Sequence, residues 1–160
     1  MQMVEEISFG YIGGDRGTPQ PQEPYDLASL HELLDNGDPI VRSHMCSWPR
    51  LPAEIVERLA HDPDTVVRTW LVYANHDLWP ELLVRMLDTY PELYDAVCQH
   101  HNAPLHLSEN FYVSQMPDIS LRAFLTAKNS TPEQAGRFMD LRLVPGLTAG
   151  EAWRQSENPT

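Results

Sequence analysis

The sequence predicts an all-α fold, a solenoid of about four two-helix repeats, from three observations. Asn75, Asn102 and Asn129 follow one another at intervals of 27 residues. Columns of like residues share this period, which is typical of stacked helical repeats. No glycine lies between Gly37 and Gly136, whereas prolines recur throughout that stretch, a pattern that favours short helices over strands.

The second helix of each repeat carries a charged pair beside apolar positions. Val-Arg or Leu-Arg dipeptides share one register, with Tyr94-Asp95 in the third copy: Val41-Arg42, Val67-Arg68 and Leu121-Arg122. An aspartate stands four residues before each arginine: Asp38, Asp64 and Asp118. Two apolar columns, which we expect to be buried, comprise Met45, Leu71, Cys98 and Leu125, and Leu33, Leu59, Met86 and Val113.

The second repeat shows the helix boundaries most clearly. Residues 52–61 and 65–74 have apolar side chains at helical spacing, and the segment 62–64 separates the two helices. Asp64 is the expected N-cap of the later helix, in which Val67, Trp70, Leu71 and Ala74 are predicted to form one buried face. Asn75 is expected to end that helix in the left-handed conformation.

A family resemblance follows from these residues. The segment LPAEIVERLAHDPDTVVRTWLVYANHDLWPELLVRML resembles the leucine-rich repeat variant family, whose copies carry a "D…VR…A.N…LP..ll..La" pattern, and HEAT repeats are similar in their Asp…Val-Arg spacing. The resemblance covers about residues 30–140. It implies a right-handed stack of helix pairs used for binding, without catalytic residues. Nothing matches the iron–sulfur domain that some members carry, so no cofactor is expected.

The chain divides into three predicted segments. Residues 1–24 form an extended N-terminal arm rich in glycine and proline, residues 25–143 the repeat domain, and residues 144–160 a C-terminal cap and tail. We expect the arm to pack on the first repeat, with partner binding as the alternative. A short helix is expected around Thr148–Arg154, where Trp153 would cover the last repeat.

The repeat positions have a structural interpretation. Each aspartate of the Asp38/Arg42, Asp64/Arg68 and Asp118/Arg122 pairs should cap a helix, and each arginine should bridge within or between repeats. A charged ladder along one ridge is the functional alternative. In that alternative Asp95→Arg would complete the ladder and hold or raise stability.

The charge balance restricts the partners. Eleven basic residues face 23 acidic ones, a net charge of -12, which disfavours nucleic-acid binding and suits another protein with a basic surface. No apolar run approaches the roughly 18 residues of a membrane span, and Glu5 and Glu6 stand where a signal peptide carries positive charge, so we expect a cytoplasmic protein.

Catalytic and metal-binding patterns are not found in the sequence. It contains neither GxSxG nor HExxH, and no glycine-rich phosphate loop, so we expect no enzyme activity. Cys46 and Cys98 are the two cysteines, too few for a zinc or iron–sulfur framework. Cys98 lies near three histidines, but it occupies an apolar column, so a buried core cysteine is favoured over a metal ligand. We expect no disulfide between Cys46 and Cys98.

Aromatic residues on the second helices indicate where a partner would bind. His44, Trp70, Val97 and Phe124 form one column, which we expect in the core. The residues expected at a concave binding face are Tyr73, His100, Asp95 and Trp48. The leading hypothesis is a protein-interaction or scaffolding module that binds a partner on this face. The alternative is a small acidic inhibitor, antitoxin-like or immunity-like, that blocks a nucleic-acid-binding protein. The oligomeric state stays open.

Overall fold

The computed structural model describes residues 25–158, and this part of the chain is all-α. It holds ten α-helices and two 3₁₀ turns, and no strand is found among the described residues; Tyr112 and Thr148 form an isolated antiparallel bridge. The predicted fold class is confirmed at this level. The predicted N-terminal arm, residues 1–24, lies outside the described residues, as do residues 159–160.

The chain divides into two compact units, and the boundary between them falls within the predicted repeat domain. The first ends at Asn75 and the second begins at His76. The first unit contains four helices: α1 (Leu27–Asn36), α2 (Pro39–Met45), α3 (Ala53–Ala60) and α4 (Thr65–Ala74). The helices α3 and α4 match the predicted segments 52–61 and 65–74.

The four helices of the first unit pack as two successive pairs. Helix α1 packs on α2, α3 packs on α4, and the two second helices α2 and α4 lie against each other. Arg58 on α3 contacts two residues of α1, with Nη2 2.5 Å from Asp35 Oδ1 and Nη1 2.9 Å from His31 Nδ1. Helices α1 and α3 are therefore in contact in this unit, as α2 and α4 are.

Aspartate caps begin both second helices of the first unit. The Asp38 carboxylate accepts a hydrogen bond from the Val41 backbone N–H at 3.0 Å. The Asp64 carboxylate accepts from the N–H groups of Val66 and Val67 at 2.7 and 3.4 Å. These bonds satisfy donors that have no partner within the first helical turn, and they confirm both predicted caps.

The predicted left-handed helix end at Asn75 is wrong. Asn75 is buried and extended, with φ −94° and ψ 109°, while its N–H still donates to the Leu71 carbonyl at 3.0 Å. The left-handed conformation occurs instead at Asn129, where φ is 52°. Asparagine tolerates this region, so the same residue type ends two helices in different ways.

The second unit contains six helices, several of them short. They are α5 (Pro80–Thr89), α6 (Tyr94–Gln99), α7 (Leu105–Ser108), α8 (Asp118–Ala127), α9 (Pro132–Leu141) and α10 (Ala149–Glu157). The 3₁₀ turns Pro91–Leu93 and Val113–Gln115 precede α6 and α8. Helix α5 packs on α6, α6 on α7, α7 on α8, and α9 on α10.

The C-terminal helix is part of the second unit's core. Trp153 of α10 is buried in a cluster with residues from α6, α8 and α9, among them Cys98, Phe124 and Phe138. Two backbone bonds of 2.9 Å, from Val113 N–H to Leu147 O and from Ala149 N–H to Phe111 O, tie the segment before α10 to this cluster. This confirms that Trp153 covers the last predicted repeat.

Both apolar columns are buried. Met45, Leu71 and Cys98 are fully buried and Leu125 nearly so, and the column of Leu33, Leu59, Met86 and Val113 is likewise inside. The 27-residue period therefore follows the core in both units. Cys46 and Cys98 are both free and buried.

Candidate binding surface

Asp62, a buried residue in the turn between α3 and α4, accepts hydrogen bonds from the arginines of both α2 and α4. Arg42 donates to the Asp62 side chain through Nε at 2.6 Å and Nη2 at 3.2 Å, and its Nη1 donates to the Gly37 carbonyl at 2.6 Å. Arg68 donates from Nη1 to the Asp62 backbone carbonyl at 2.6 Å. The Asp62 carboxylate also accepts the Asp64 N–H at 2.9 Å. Hydrogen bonds to this carboxylate raise the pKa of the Arg42 guanidinium, so Arg42 is held firmly in its charged form.

The outward side of helix α4 is apolar and aromatic. Val66 is 62% exposed, Trp70 49% and Tyr73 48%. These residues stand at i, i+4 and i+7, so their side chains form one stripe along the helix. On α2, Ile40 is 65% exposed and His44, four residues later, is also exposed. We call the five residues Ile40, His44, Val66, Trp70 and Tyr73 the α2/α4 face.

The Cys46 sulfur contacts the backbone of both α2 and α4. The Cys46 Sγ lies 3.4 Å from the Arg42 carbonyl of its own helix and 3.6 Å from the Val67 carbonyl of α4. Burial raises the pKa of the Cys46 thiol to about 12, so this sulfur stays protonated.

Neither α2 nor α4 presents an arginine or a lysine on the α2/α4 face. Their arginines, Arg42 and Arg68, are directed at Asp62. The acidic caps Asp38 and Asp64 stand at the N-terminal ends of the same helices, Asp38 exposed and Asp64 half-buried. The surface therefore combines an apolar centre with negative charge at one edge.

Two of the four predicted partner-binding residues are on the surface and two are not. Tyr73 belongs to the α2/α4 face, and Asp95 is exposed in the first turn of α6, in the second unit. Trp48 and His100 are only 4% and 6% exposed, so both are corrected to interior positions. The Trp48 ring stacks on Tyr25 at 6.5 Å, and His100 Nδ1 accepts the Asn102 N–H at 3.1 Å.

Sequence reasoning missed the exposed residues Ile40, His44, Val66 and Trp70. It placed His44 and Trp70 in the core with Val97 and Phe124, which are indeed buried. The missed signal lies in the composition of α4, where apolar residues occupy opposite sides: Val67 and Leu71 face inward while Val66 and Trp70 face outward. A helix with one buried side does not need apolar residues all round.

The third charged pair departs from the first two. Asp118 is the first residue of α8 and does not cap it; its Oδ1 lies 3.0 Å from Nη1 of Arg142. Arg122 is exposed. Asn102 bridges two carbonyls through Nδ2, those of His76 at 3.2 Å and Leu78 at 2.9 Å. The third pair therefore does not repeat the cap seen at Asp38 and Asp64.

Three histidines of the second unit lie close together. The ring centroids of His100 and His101 are 4.7 Å apart, and those of His76 and His101 are 5.5 Å apart. Desolvation lowers the pKa of His101, and the neighbouring His76 lowers it further. Within residues 25–158 no three histidine, cysteine or acidic side chains are arranged to hold a metal ion.

A cleft in the first unit has a volume of about 520 Å³. It is lined by Leu34, Asp35, Arg42, Arg58, His61, Asp62 and Pro63. Its two arginines already form ion pairs, Arg42 with Asp62 and Arg58 with Asp35. A charged ligand would have to break these pairs, so the α2/α4 face is the better candidate for binding.

Comparison of the chain with protein family models, with curated proteins and with solved structures finds no match in any of the three. The resemblance to the leucine-rich repeat variant family therefore stays a prediction. None of the helices in the described part of the chain is long and apolar enough to cross a membrane.

Proposed function

We propose that this chain is a protein-interaction module that holds its partner on the α2/α4 face. The observation that carries the proposal is the row of exposed apolar side chains on two adjacent helices, Ile40, Val66, Trp70 and Tyr73. Contiguous apolar groups of this kind on a water-exposed surface mark interaction sites, and tryptophan and tyrosine are the residues that most often anchor them.

Two further features support a binding surface. The apolar residues lie on helices fixed from behind by the Asp62 network, so the surface is formed before a partner arrives. The same face carries no cluster of nucleophile, base and oxyanion donors of the kind that catalysis requires. A binding role therefore accounts for the exposed side chains better than an enzymatic one.

The repeat architecture belongs to the same proposal. The side-by-side packing of α2 and α4 supports it, because neighbouring repeats of an α-solenoid make contacts of this kind. We extend this contact to all four predicted repeats as a right-handed solenoid similar to the leucine-rich repeat variant and HEAT families. Such solenoids present their helices as extended binding surfaces.

A capture experiment tests the proposed function. The full chain, immobilised, is exposed to an extract of its source organism beside two variants, the double substitution Trp70→Ala with Tyr73→Ala and the control Leu143→Ala. Leu143 is a highly exposed apolar residue of the second unit. We expect a specific protein to be retained by the unsubstituted chain and by the control, and lost by the double variant.

The interpretation of that capture depends on the folding of the double variant. Both substituted residues are about half exposed, so the thermal midpoint should change little. Equal retention of the same protein by all three chains would refute the α2/α4 face as the binding surface. Release of the retained protein by added nucleic acid would point instead to the acidic inhibitor.

A further inference from the structure

We infer that the occupant of the α2/α4 face is an amphipathic helix with basic residues flanking its apolar side. This inference rests on the proposed function and names the chemistry of the partner. It follows from the length of the apolar stripe, from the packing of the two helices and from the charges that surround them.

The stripe on α4 has the length of two helical turns. Val66 and Tyr73 are seven residues apart, which at 1.5 Å per residue is about 10 Å. A partner helix that lies along it would present apolar residues at i, i+4 and i+7. Ile40 and His44 are exposed on α2, which packs against α4, so both helices contribute exposed side chains that such a helix can contact.

The charges select a basic segment over an acidic one. Arg42 and Arg68 would be the natural counter-charges of an acidic partner, but both are engaged with Asp62 behind the face. Asp38 and Asp64 each stand two residues before an exposed apolar residue, Ile40 and Val66 respectively. Their carboxylates accept backbone N–H bonds and keep lone pairs for a lysine or arginine at the end of the partner helix.

A second copy of the chain is a poorer occupant on the same grounds. Each copy carries a net charge of -12, so two copies repel one another over long range. Two-fold pairing through the α2/α4 face would also bring the acidic caps of both copies to one interface, with no outward arginine from the two described helices to offset them. A basic helix meets neither obstacle.

Three labelled peptides of about 14 residues, or four helical turns, test the inference. They share leucine, tryptophan and leucine at i, i+4 and i+7 and differ in their flanking residues, which are arginine, glutamine or glutamate. Binding to the full chain is measured by fluorescence anisotropy at low salt. We expect the arginine peptide to bind about tenfold tighter than the glutamine peptide, a difference near 1.4 kcal/mol, and the glutamate peptide to bind least.

Two sets of substitutions test the acidic caps and the aromatic residues of the surface separately. Asparagine caps helices about as well as aspartate, so Asp38→Asn with Asp64→Asn should preserve the fold. We expect this variant to weaken the arginine peptide about fivefold and to leave the glutamine peptide unchanged. Trp70→Ala with Tyr73→Ala should weaken both peptides, and Leu143→Ala neither. Raising the salt to about 0.5 M should remove most of the preference for arginine.

Several results would overturn the inference. Equal binding of the glutamine or glutamate peptide, or no effect of the asparagine substitutions, would rule out a basic partner while leaving the proposed function intact. Tighter binding of a synthetic peptide of residues 1–24, or dimerisation abolished by the Trp70 and Tyr73 substitutions, would assign the face to the chain itself. Absence of any binding by the arginine peptide also refutes the inference, whereas the capture experiment decides the proposed function independently.

Discussion

The Asp62 carboxylate accepts two hydrogen bonds from the Arg42 guanidinium, at 2.6 Å from Nε and 3.2 Å from Nη2. Asp62 is buried and Arg42 is largely so. This pair joins α2 to the turn that precedes α4. Because a charged group left alone in the interior is costly, the pair makes the folding of α2 and that of the turn depend on each other.

Removal of the buried carboxylate should therefore destabilise the protein strongly. Asp62→Ala leaves Arg42 uncompensated, and we expect the free energy of unfolding to fall by about 3–5 kcal/mol. The control is Asp35→Ala, which breaks the exposed Arg58–Asp35 pair and should cost less than about 1 kcal/mol. Urea denaturation measures both values. Similar small losses in the two variants would mean that the Arg42–Asp62 pair contributes little.

Truncation of two adjacent residues on α4 should change the stability of the protein by very different amounts. Leu71 is fully buried, so Leu71→Ala should lower the free energy of unfolding by about 2–5 kcal/mol, and Leu59→Ala on α3 should do the same. Trp70, the preceding residue, is half exposed, and Trp70→Ala should change it by less than about 1 kcal/mol. Chemical denaturation compares the three variants. A loss at Trp70 as large as that at Leu71 would place Trp70 in the core.

The histidine cluster should make stability depend on pH. Desolvation and the nearby His76 lower the pKa of His101 below 6.5, although Asp77 acts in the opposite direction. The folded protein then binds fewer protons than the unfolded chain in this range, so stability falls as the pH drops through about 6.5. Unfolding free energies at about pH 7.5 and about pH 5.5 should differ less in His101→Gln than in the unsubstituted chain. The control is His106→Gln at an exposed residue, which should show the same difference in unfolding free energy as the unsubstituted chain. An unchanged pH dependence in His101→Gln would exclude His101 as its source.

Both cysteines should be unreactive in the folded protein. Burial raises the pKa of the Cys46 thiol to about 12, and burial also raises that of Cys98. Thiolate is the reacting form, so a thiol reagent at about pH 8 should label the two sulfurs only after denaturation. Mass spectrometry of samples taken with time distinguishes the two sites. Rapid labelling of Cys98 in native protein would contradict its place in the buried column.

Asp95 should not behave as a gap in a charged ladder. It lies in the first turn of α6, where negative charge is favourable and no side chain caps the helix. Asp95→Arg should therefore lower the free energy of unfolding by about 0.3–1 kcal/mol, contrary to the sequence-based expectation that it holds or raises stability. Thermal unfolding of this variant beside Asp95→Asn measures the effect, which should be smaller for asparagine. A gain in stability with arginine would restore the ladder interpretation.

The sequence predicted the periodic features of the fold better than its singular ones. Burial of Leu71 and Cys98 and capping by Asp64 follow from a repeat and from local chemistry, which a single chain displays directly. From the sequence, Asp62 was interpreted only as part of a break between two helices. Its structural role depends on its ion pair with Arg42, twenty residues earlier. Contacts between residues so far apart in the sequence are determined by how the helices pack.

The candidate face shows the same division. Tyr73 was placed at a surface correctly, but Trp48 and His100 were assigned by their position in a repeat column and are buried. Residues in the same predicted repeat column can differ in exposure. Trp70 and Val97 share one column, yet Trp70 is exposed and Val97 is buried. Turn geometry after α2 and α6 decides where Trp48 and His100 lie, and nothing in their spacing indicates it.

The Asp62 network has a consequence for the kinetics of association. Because α2 and α4 are both fastened to one residue behind them, Trp70 and its neighbours need no rearrangement of backbone when a ligand docks. Little conformational entropy is then lost on the side of this chain, and the free and bound backbones should differ by less than about 1 Å. Encounter would be governed by diffusion, orientation and long-range attraction, so that differences in affinity among ligands of like charge would arise mainly from their rates of dissociation.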